Sequence, residues 1–207
     1  MSNIMTKIKT SEKILNGATR LFAEHGYDGA IMDDLAIQCN VNKASIYYHH
    51  KDKATLYENV LTALFIPIAD AVVDAVSSED SPVKKLDTHI KTFAKFSADK
   101  PYFAAILMRE MASGGVNMPP GAAEQMQRIL FLLNSTLQLG QSQSIFKSAD
   151  PLIIHFMIVG TINLFVTSIP FRHSLPETDQ CNQLQSSNIE KASDQISKTI
   201  IDSILIK

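Results

Sequence analysis

The sequence predicts an all-α protein: an N-terminal three-helix unit with a helix-turn-helix, followed by a larger helical unit. Three observations predict it. Apolar residues recur at i, i+3, i+4 and i+7 along most of the chain, the period of a helix with one buried face. Gly and Pro number only 8 each in 207 residues and Trp is absent, too few turn-formers for a loop-rich β fold. Charge is uneven: residues 1–60 carry seven basic and seven acidic side chains, whereas 121–171 carry only Glu124, Arg128, Lys147 and Asp150. The first region reads as a small solvated unit, the second as helices covered on most sides by other helices.

The elements follow in order. Ile14, Ala18, Leu21 and Phe22 mark a first helix closed by Gly26, which suits a C-terminal cap. Met32, Leu35, Ala36 and Cys39 mark a short second helix stopping at Asn40, a residue that tolerates the left-handed conformation. Val41 turns inward, and Asn42 is a favourable N-cap for a third helix from Lys43 to His49. Lys51-Asp52-Lys53 interrupts the pattern. A long amphipathic stretch then carries Leu56, Val60, Leu61, Leu64, Phe65, Ile68, Val72 and Val76, and Pro67 within it predicts a kink or a break. Pro82 opens a helix with Leu86, Ile90, Phe93 and Phe96 on its buried face. Pro101 opens the next, with Phe103, Ile106, Leu107 and Met111 inside, ending at Gly114-Gly115. Met126, Ile129, Leu130, Leu133 and Leu137 form another, and Ile153–Ile169 is bounded by Pro151 and Pro170. Residues 172–187 read as a polar, mobile linker. Ile189, Ala192, Ile196, Ile200 and Ile204 stripe the last helix. The division falls in the helix that contains Pro67, giving units 1–55 and 56–207.

Several function classes are excluded at this level. A net charge of −2 and a pI near 6.3 rule out a chain coated in basic charge, so nucleic-acid binding has to come from a local patch. Cys39 and Cys181 are far apart and match no metal-ligand spacing, which points to a reducing compartment. The first ten residues, with Lys7 and Lys9 and no apolar run, do not read as a secretory signal; the expected location is cytoplasmic. The stretch 151–171 lacks Asp, Glu, Lys and Arg, but His155, Thr161, Asn163, Thr167 and Ser168 favour a buried helix over a membrane span. There is no nucleophile elbow, Walker loop or paired-Cys or His-Glu-x-x-His site, so no enzyme, metal or cofactor is expected.

Met32–Cys39 and Asn42–His49, joined by a tight turn, have the spacing of a helix-turn-helix whose second helix enters the major groove. Asn42, Lys43, Ala44 and Ser45 stand at its front, where small and polar side chains permit close approach to base edges. Tyr47, Tyr48, His49 and Lys53 are placed to contact phosphates. Tyr47 also fits a role in the three-helix core with its hydroxyl outward.

Ile14-Leu15, Ala18, Leu21-Phe22-Ala23-Glu24-His25-Gly26-Tyr27, Met32-Asp33-Asp34-Leu35-Ala36 and the run from Val41 through Lys53, with Leu56-Tyr57, resemble the DNA-binding domain of TetR-family transcriptional repressors. The resemblance covers about residues 10–60 in one gapless block. It implies a homodimer bound to a palindromic operator on double-stranded DNA, and a C-terminal domain for dimerisation and a small-molecule inducer. Departures from the family pattern are Ala30 and Ile31 where Thr or Ser is usual, Asn40 for Gly, and His50 for Phe. Asp33 and Asp34 suit the helix dipole but repel phosphate. These leave a competing reading: a helical ligand-binding protein, with weak or lost DNA binding, that acts through protein contacts.

For the inducer, Phe93, Phe96, Tyr102, Phe103, Met108, Met111 and Met126 are candidate apolar walls, alongside Phe131, Phe156 and Phe165. Arg109, His155 and Asn163 are candidate polar contacts. Core packing explains many of the apolar ones equally well. For the dimer, helices 152–169 and 189–206 are expected to pair with their symmetry mates.

Overall fold

A computed structural model describes residues 2–176 and 188–206, with side chains from residue 9 onward. Helices are the only regular elements among the described residues, apart from one bridge between Phe146 and Leu205. They are α1 (Ser2–Gly29), α2 (Met32–Gln38), α3 (Lys43–His50), α4 (Lys53–Ser77), α5 (Pro82–Asp99), α6 (Pro101–Ala112), α7 (Pro120–Ser142), α8 (Pro151–Thr167), α9 (Ile169–His173) and α10 (Ile189–Ile204). Cys181 and the greater part of the expected 172–187 linker lie outside the described residues; the linker's start is instead helical, as the end of α9.

Local chemistry sets most boundaries. Gly26 interrupts α1 with φ 71°, a conformation that costs glycine no Cβ clash. Asn40 takes φ 44° after α2. The side chains of Asn42, Asp52, Ser81, Asp150 and Asn188 each accept a backbone N–H at the start of α3, α4, α5, α8 and α10, satisfying donors that a helix start leaves orphaned. Pro67 does not break α4, which continues as one helix for 25 residues.

α1, α2 and α3 pack on one another, and both α1 and α3 reach α4. Ile14, Ala18, Phe22, Leu35, Ile46 and Leu56 fill that small core. α1 and α2 approach closely at Gly17, where any Cβ would collide with the Cys39 thiol. His50 occupies an interior position of this unit: one ring nitrogen lies 3.4 Å from the Ser11 hydroxyl on α1 and the other 3.2 Å from the Asn59 amide on α4. The polar ring thus anchors α3 where the family pattern has phenylalanine.

The larger unit is built around α4 and α5. α4 lies against α1, α5 and α7; α5 lies against α4, α7, α8 and α10. Its aromatic hub is Phe103, whose ring meets Phe65, Phe93 and Phe96 at centroid distances of 5.1, 6.0 and 5.6 Å. Beyond α7 the chain folds back so that the Phe146 ring covers Gly140, leaving no room there for a Cβ. The strap 145–147 then bonds to the end of α10, Lys147 N–H to Ile204 O and Ile206 N–H to Ile145 O. α4, whose most apolar 18 residues have a mean hydropathy of 1.8, is the one helix among the described residues long and apolar enough to cross a membrane. Its apolar side chains lie against neighbouring helices over most of its length, as a core helix requires.

The two helices expected to pair with their symmetry mates differ in the faces they leave uncovered. Helix α8 is covered on one side only: Ile154, His155, Ile158, Ile162 and Asn163 face inward, while Leu152, Ile153, Phe156, Met157 and Leu164 face out. The isoleucine stripe of α10 lies largely within its own protomer, with Ile200, Ile201 and Ile204 buried and α10 laid along α5. That contact is locked by Ser197 donating to Asp87 at 2.6 Å and by Lys91 bridging Asp87 and Asp194 at 3.0 Å each. Of the two helices expected to pair across a dimer, α8 is the one that keeps a broad apolar outer face.

Candidate functional site

The recognition-helix candidate, α3, begins at the Asn42 cap. The Ser45 N–H and the Ser45 hydroxyl both donate to the Asn42 carboxamide oxygen at 2.7 Å. Ser45 is thereby half-buried in cap chemistry and does not stand free at the front of the helix. Lys43, Ala44, Tyr47 and Tyr48 form the exposed face, with Tyr48 71% exposed, while His49 is half-buried. The alternation is dictated by Ile46 and His50, which pin the opposite face to the core.

Charges around this face are partly neutralised. Lys43 Nζ lies 2.8 Å from Asp33 on α2, and that hydrogen bond raises the lysine pKa above its ordinary value. Lys53 Nζ donates to the Asp28 carbonyl at 3.3 Å and sits 4.8 Å from the centre of the Tyr27 ring. Both lysines are therefore held in place by the protein. A cation so held loses little conformational freedom on meeting a phosphate, but Lys43 must share its charge with Asp33.

Behind α3, the two units are joined through α6. Arg109 donates from Nε to Ala23 O at 2.8 Å and from Nη2 to Glu24 O at 2.6 Å, just before the Gly26 interruption of α1. A guanidinium on these carbonyls complements the negative end of the helix dipole. Next to it in sequence, the buried Glu110 accepts from the Tyr57 hydroxyl of α4 at 2.5 Å. Burial and the Glu110 hydrogen bond push the Tyr57 phenol upward in pKa, so it remains a donor. Tyr57 packs edge-on to Phe22 and against Tyr27, at 4.7 and 5.0 Å. A third link runs from Arg20 Nε to the Tyr102 hydroxyl at 3.1 Å.

Tyr57→Phe leaves Glu110 buried without its donor and is expected to destabilise the protein by about 1–3 kcal/mol. Urea denaturation checks this, and an unchanged midpoint would mean that the hydroxyl contributes nothing.

Three inducer candidates are placed elsewhere than expected. Arg109 caps α1 from the surface, Tyr102 is exposed beside Arg20, and Met111 points to solvent. The helical period identifies a stripe but does not say where the stripe ends, and the buried stripe of α6 closes at Glu110, leaving Met111 exposed. Phe93 and Phe103 are buried in the aromatic hub, and Phe96, Met108 and Met126 are half-buried at its margins. His155 and Asn163 lie in the core, as does His89 of α5, which sequence reasoning missed. The signal was present: His89 interrupts the apolar stripe of Leu86, Ile90 and Phe93. Glu110 likewise follows Ile106 and Leu107 on the stripe of α6.

Burial pushes His89 down to about 3, with the His155 ring adding to the effect, and burial also lowers His155 and His50. A histidine whose folded pKa lies below its unfolded value of about 6.5 binds its proton preferentially in the unfolded state. For His89 the stability is then full above about pH 6.5 and falls as the pH drops toward 3, by up to about 1.4 kcal/mol per pH unit, and His155 and His50 act in the same direction. His89→Leu is expected to flatten this acid limb. Identical melting profiles for the two proteins from pH 7 to 5 would contradict it.

Among known proteins, the pattern of the family described as "Bacterial regulatory proteins, tetR family" matches residues 14–60. Over 54 residues the chain is 44% identical to the biofilm operon icaADBC HTH-type negative transcriptional regulator IcaR of Staphylococcus aureus (strain Newman), covering 26% of this chain. That match spans 29% of the relative's length, so the likeness concerns the N-terminal unit. The whole fold is similar to that of a TetR family transcription regulator from Marinobacter aquaeolei VT8, with a TM-score of 0.73, 17% identity and complete coverage of both chains. It is also similar to the transcriptional regulator FadR from Bacillus subtilis in complex with stearoyl-CoA, with a TM-score of 0.70, 20% identity, and 93% and 98% of the two chains covered. At these identities the structural likeness is one of fold.

Proposed function

We propose that the chain, whose residues 14–60 match the tetR family of bacterial regulatory proteins, is a cytoplasmic repressor of transcription. On this reading it binds a palindromic operator as a homodimer and leaves it when a small, largely apolar ligand enters the second unit. The observation that carries the reading is the exposed face of α3, presented by the Asn42 cap and backed by the buried Ile46 and His50. Lys43, Ala44, Tyr47 and Tyr48 meet the duplex, with Asn42, Ser45, His49 and Lys53 setting the position of the helix. The role of IcaR as a negative regulator supports repression, and the stearoyl-CoA bound by FadR supports an effector with a long apolar part.

Release follows from the links through α6. Arg109 and Glu110 fasten α6 to α1 and α4, the two helices that hold α3 from behind. A ligand that moves α6 therefore moves the reading helices. Two half-sites about 34–36 Å apart tolerate little change in separation. The ligand acts only in so far as it binds the moved state better.

Selection of bound duplexes from a random pool at two salt concentrations tests the proposal. An inverted repeat, bound more weakly at the higher salt, is expected; no enrichment at either salt rejects it. Because Asp33 shares the Lys43 charge, affinity should be modest and the salt slope shallow.

The dimer is assigned to the outer face of α8, where Phe156, Gly160 and Leu164 succeed one another at i+4 spacing and Gly160 leaves open surface for a close helix. Phe156→Arg with Leu164→Arg is expected to give a folded monomer by light scattering, with operator affinity down at least a hundredfold. A dimer of unchanged mass would exclude this face.

A further inference from the structure

The core between α5 and α8 contains polar atoms that the protein does not pair. His89 is 1% exposed, and neither ring nitrogen has a hydrogen-bond partner. Asn163 is fully buried with both amide atoms unpaired, and the buried His155 leaves Nδ1 unpaired. α5 and α8 pack together, and His155 lies near enough to His89 to add to the lowering of its pKa that burial causes. His155 and Asn163 are eight residues apart, about two turns, on one buried face of α8, with Val159 and Ile162 between them. A further unpaired group on α5, the Ser97 hydroxyl, bears the same eight-residue relation to His89, with Phe93 between. Native cores pair nearly all such groups, and isolated lapses are few. Of the eight such unpaired atoms among the described residues, six lie on these two facing helices, against apolar neighbours; the others are Glu110 Oε2 on α6 and Arg172 Nε on α9.

We propose that His89, His155 and Asn163 form the polar end of the effector site, and that the effector carries an uncharged hydroxyl or carbonyl group on an apolar body. This rests on the reading of the second unit as effector-binding. The chemistry of the donor set selects the head group. A neutral imidazole offers one donor and one acceptor, and a carboxamide offers both, so together they can give to and take from a hydroxyl. Ionic head groups find no counter-charge. No Lys or Arg is buried among the described residues, and the one buried carboxylate among them, Glu110 of α6, is turned to Tyr57 of α4, from which one of its two oxygens accepts. An ion brought here would be desolvated without compensation.

The experiment titrates the full-length protein, without DNA, with three ten-carbon probes: 1-decanol, decanoate and decylammonium, by calorimetry at pH 7.5. 1-Decanol is expected to bind at least tenfold more tightly than either ion. Equal or tighter binding of an ion, or no binding of the alcohol, overturns the inference. Asn163→Leu and His89→Leu provide the second reading. Each should lower 1-decanol affinity at least tenfold and raise the melting temperature of the ligand-free protein, because an unpaired polar group is replaced by an apolar one. A merely structural polar network would lower the melting temperature and leave the head-group preference intact, and that result overturns the assignment of these residues. Operator release is measured separately. If the head-group preference holds while 1-decanol leaves DNA binding unchanged, the site stands and the proposed regulation falls.

Discussion

Ala44→Glu is expected to lower operator affinity at least a hundredfold while leaving the fold intact. Ala44 is exposed on the first turn of α3, between the Asn42 cap and the Tyr47–Tyr48 face, and makes no contact that the core depends on. A carboxylate there projects toward the duplex, repels phosphates, and adds bulk where a helix must approach base edges. The site begins with only a small electrostatic margin, since residues 1–53 carry a net charge of +1 and Lys43 is paired with Asp33. Stability should change by less than about 0.5 kcal/mol, as for other exposed substitutions. Fluorescence anisotropy with the selected operator measures the first effect and urea denaturation the second. Retained affinity in a folded protein would remove α3 from the interface.

Phe103→Ala is expected to destabilise the second unit by about 3–5 kcal/mol, the range for emptying a buried phenylalanine site. Phe103 is 2% exposed and touches rings from α4 and α5, so its removal opens a void where three helices meet. Phe131→Ala provides the contrast. That ring is 63% exposed on α7 and should cost little. Urea midpoints compare the two directly, and similar losses would mean that the aromatic hub is not the centre of the core. The void would also lie near the proposed effector walls, because Phe93 belongs both to the hub and to the α5 face that carries His89.

Phe103 and Phe131 also mark how far the chain could be read without coordinates. Both are aromatic residues on helices, and both qualified as pocket or core; only tertiary packing, which sets Phe103 of α6 against rings of α4 and α5 and turns Phe131 of α7 outward, separates the two. The first 60 residues were far more legible. Gly26, Asn40 and Asn42 each announce their backbone conformation through their own side-chain chemistry, and each adopts it. Ile14, Ala18, Leu21 and Phe22 are all buried, as their spacing requires. Ser45 and Lys53 read as free to meet DNA, yet each is engaged by a neighbour within the protein. Such engagement depends on where Asn42 and Asp28 sit in space.

Apart from the short α9, the helices from the interrupted α1 to the striped α10 were determined by the sequence alone, because caps and i, i+4 spacing act over a few residues. The helix-turn-helix block was determined in the same way. The tertiary structure decided which faces meet. It turned the isoleucines of α10 onto α5, left the outer side of α8 bare, took Arg109 out of the core to cap α1, and enclosed His89, His155 and Asn163 between two helices. A helix that is apolar all round, as α8 is, carries no periodic signal of its buried side. Its orientation is set by neighbours that arrive from distant parts of the chain, and no local pattern encodes them.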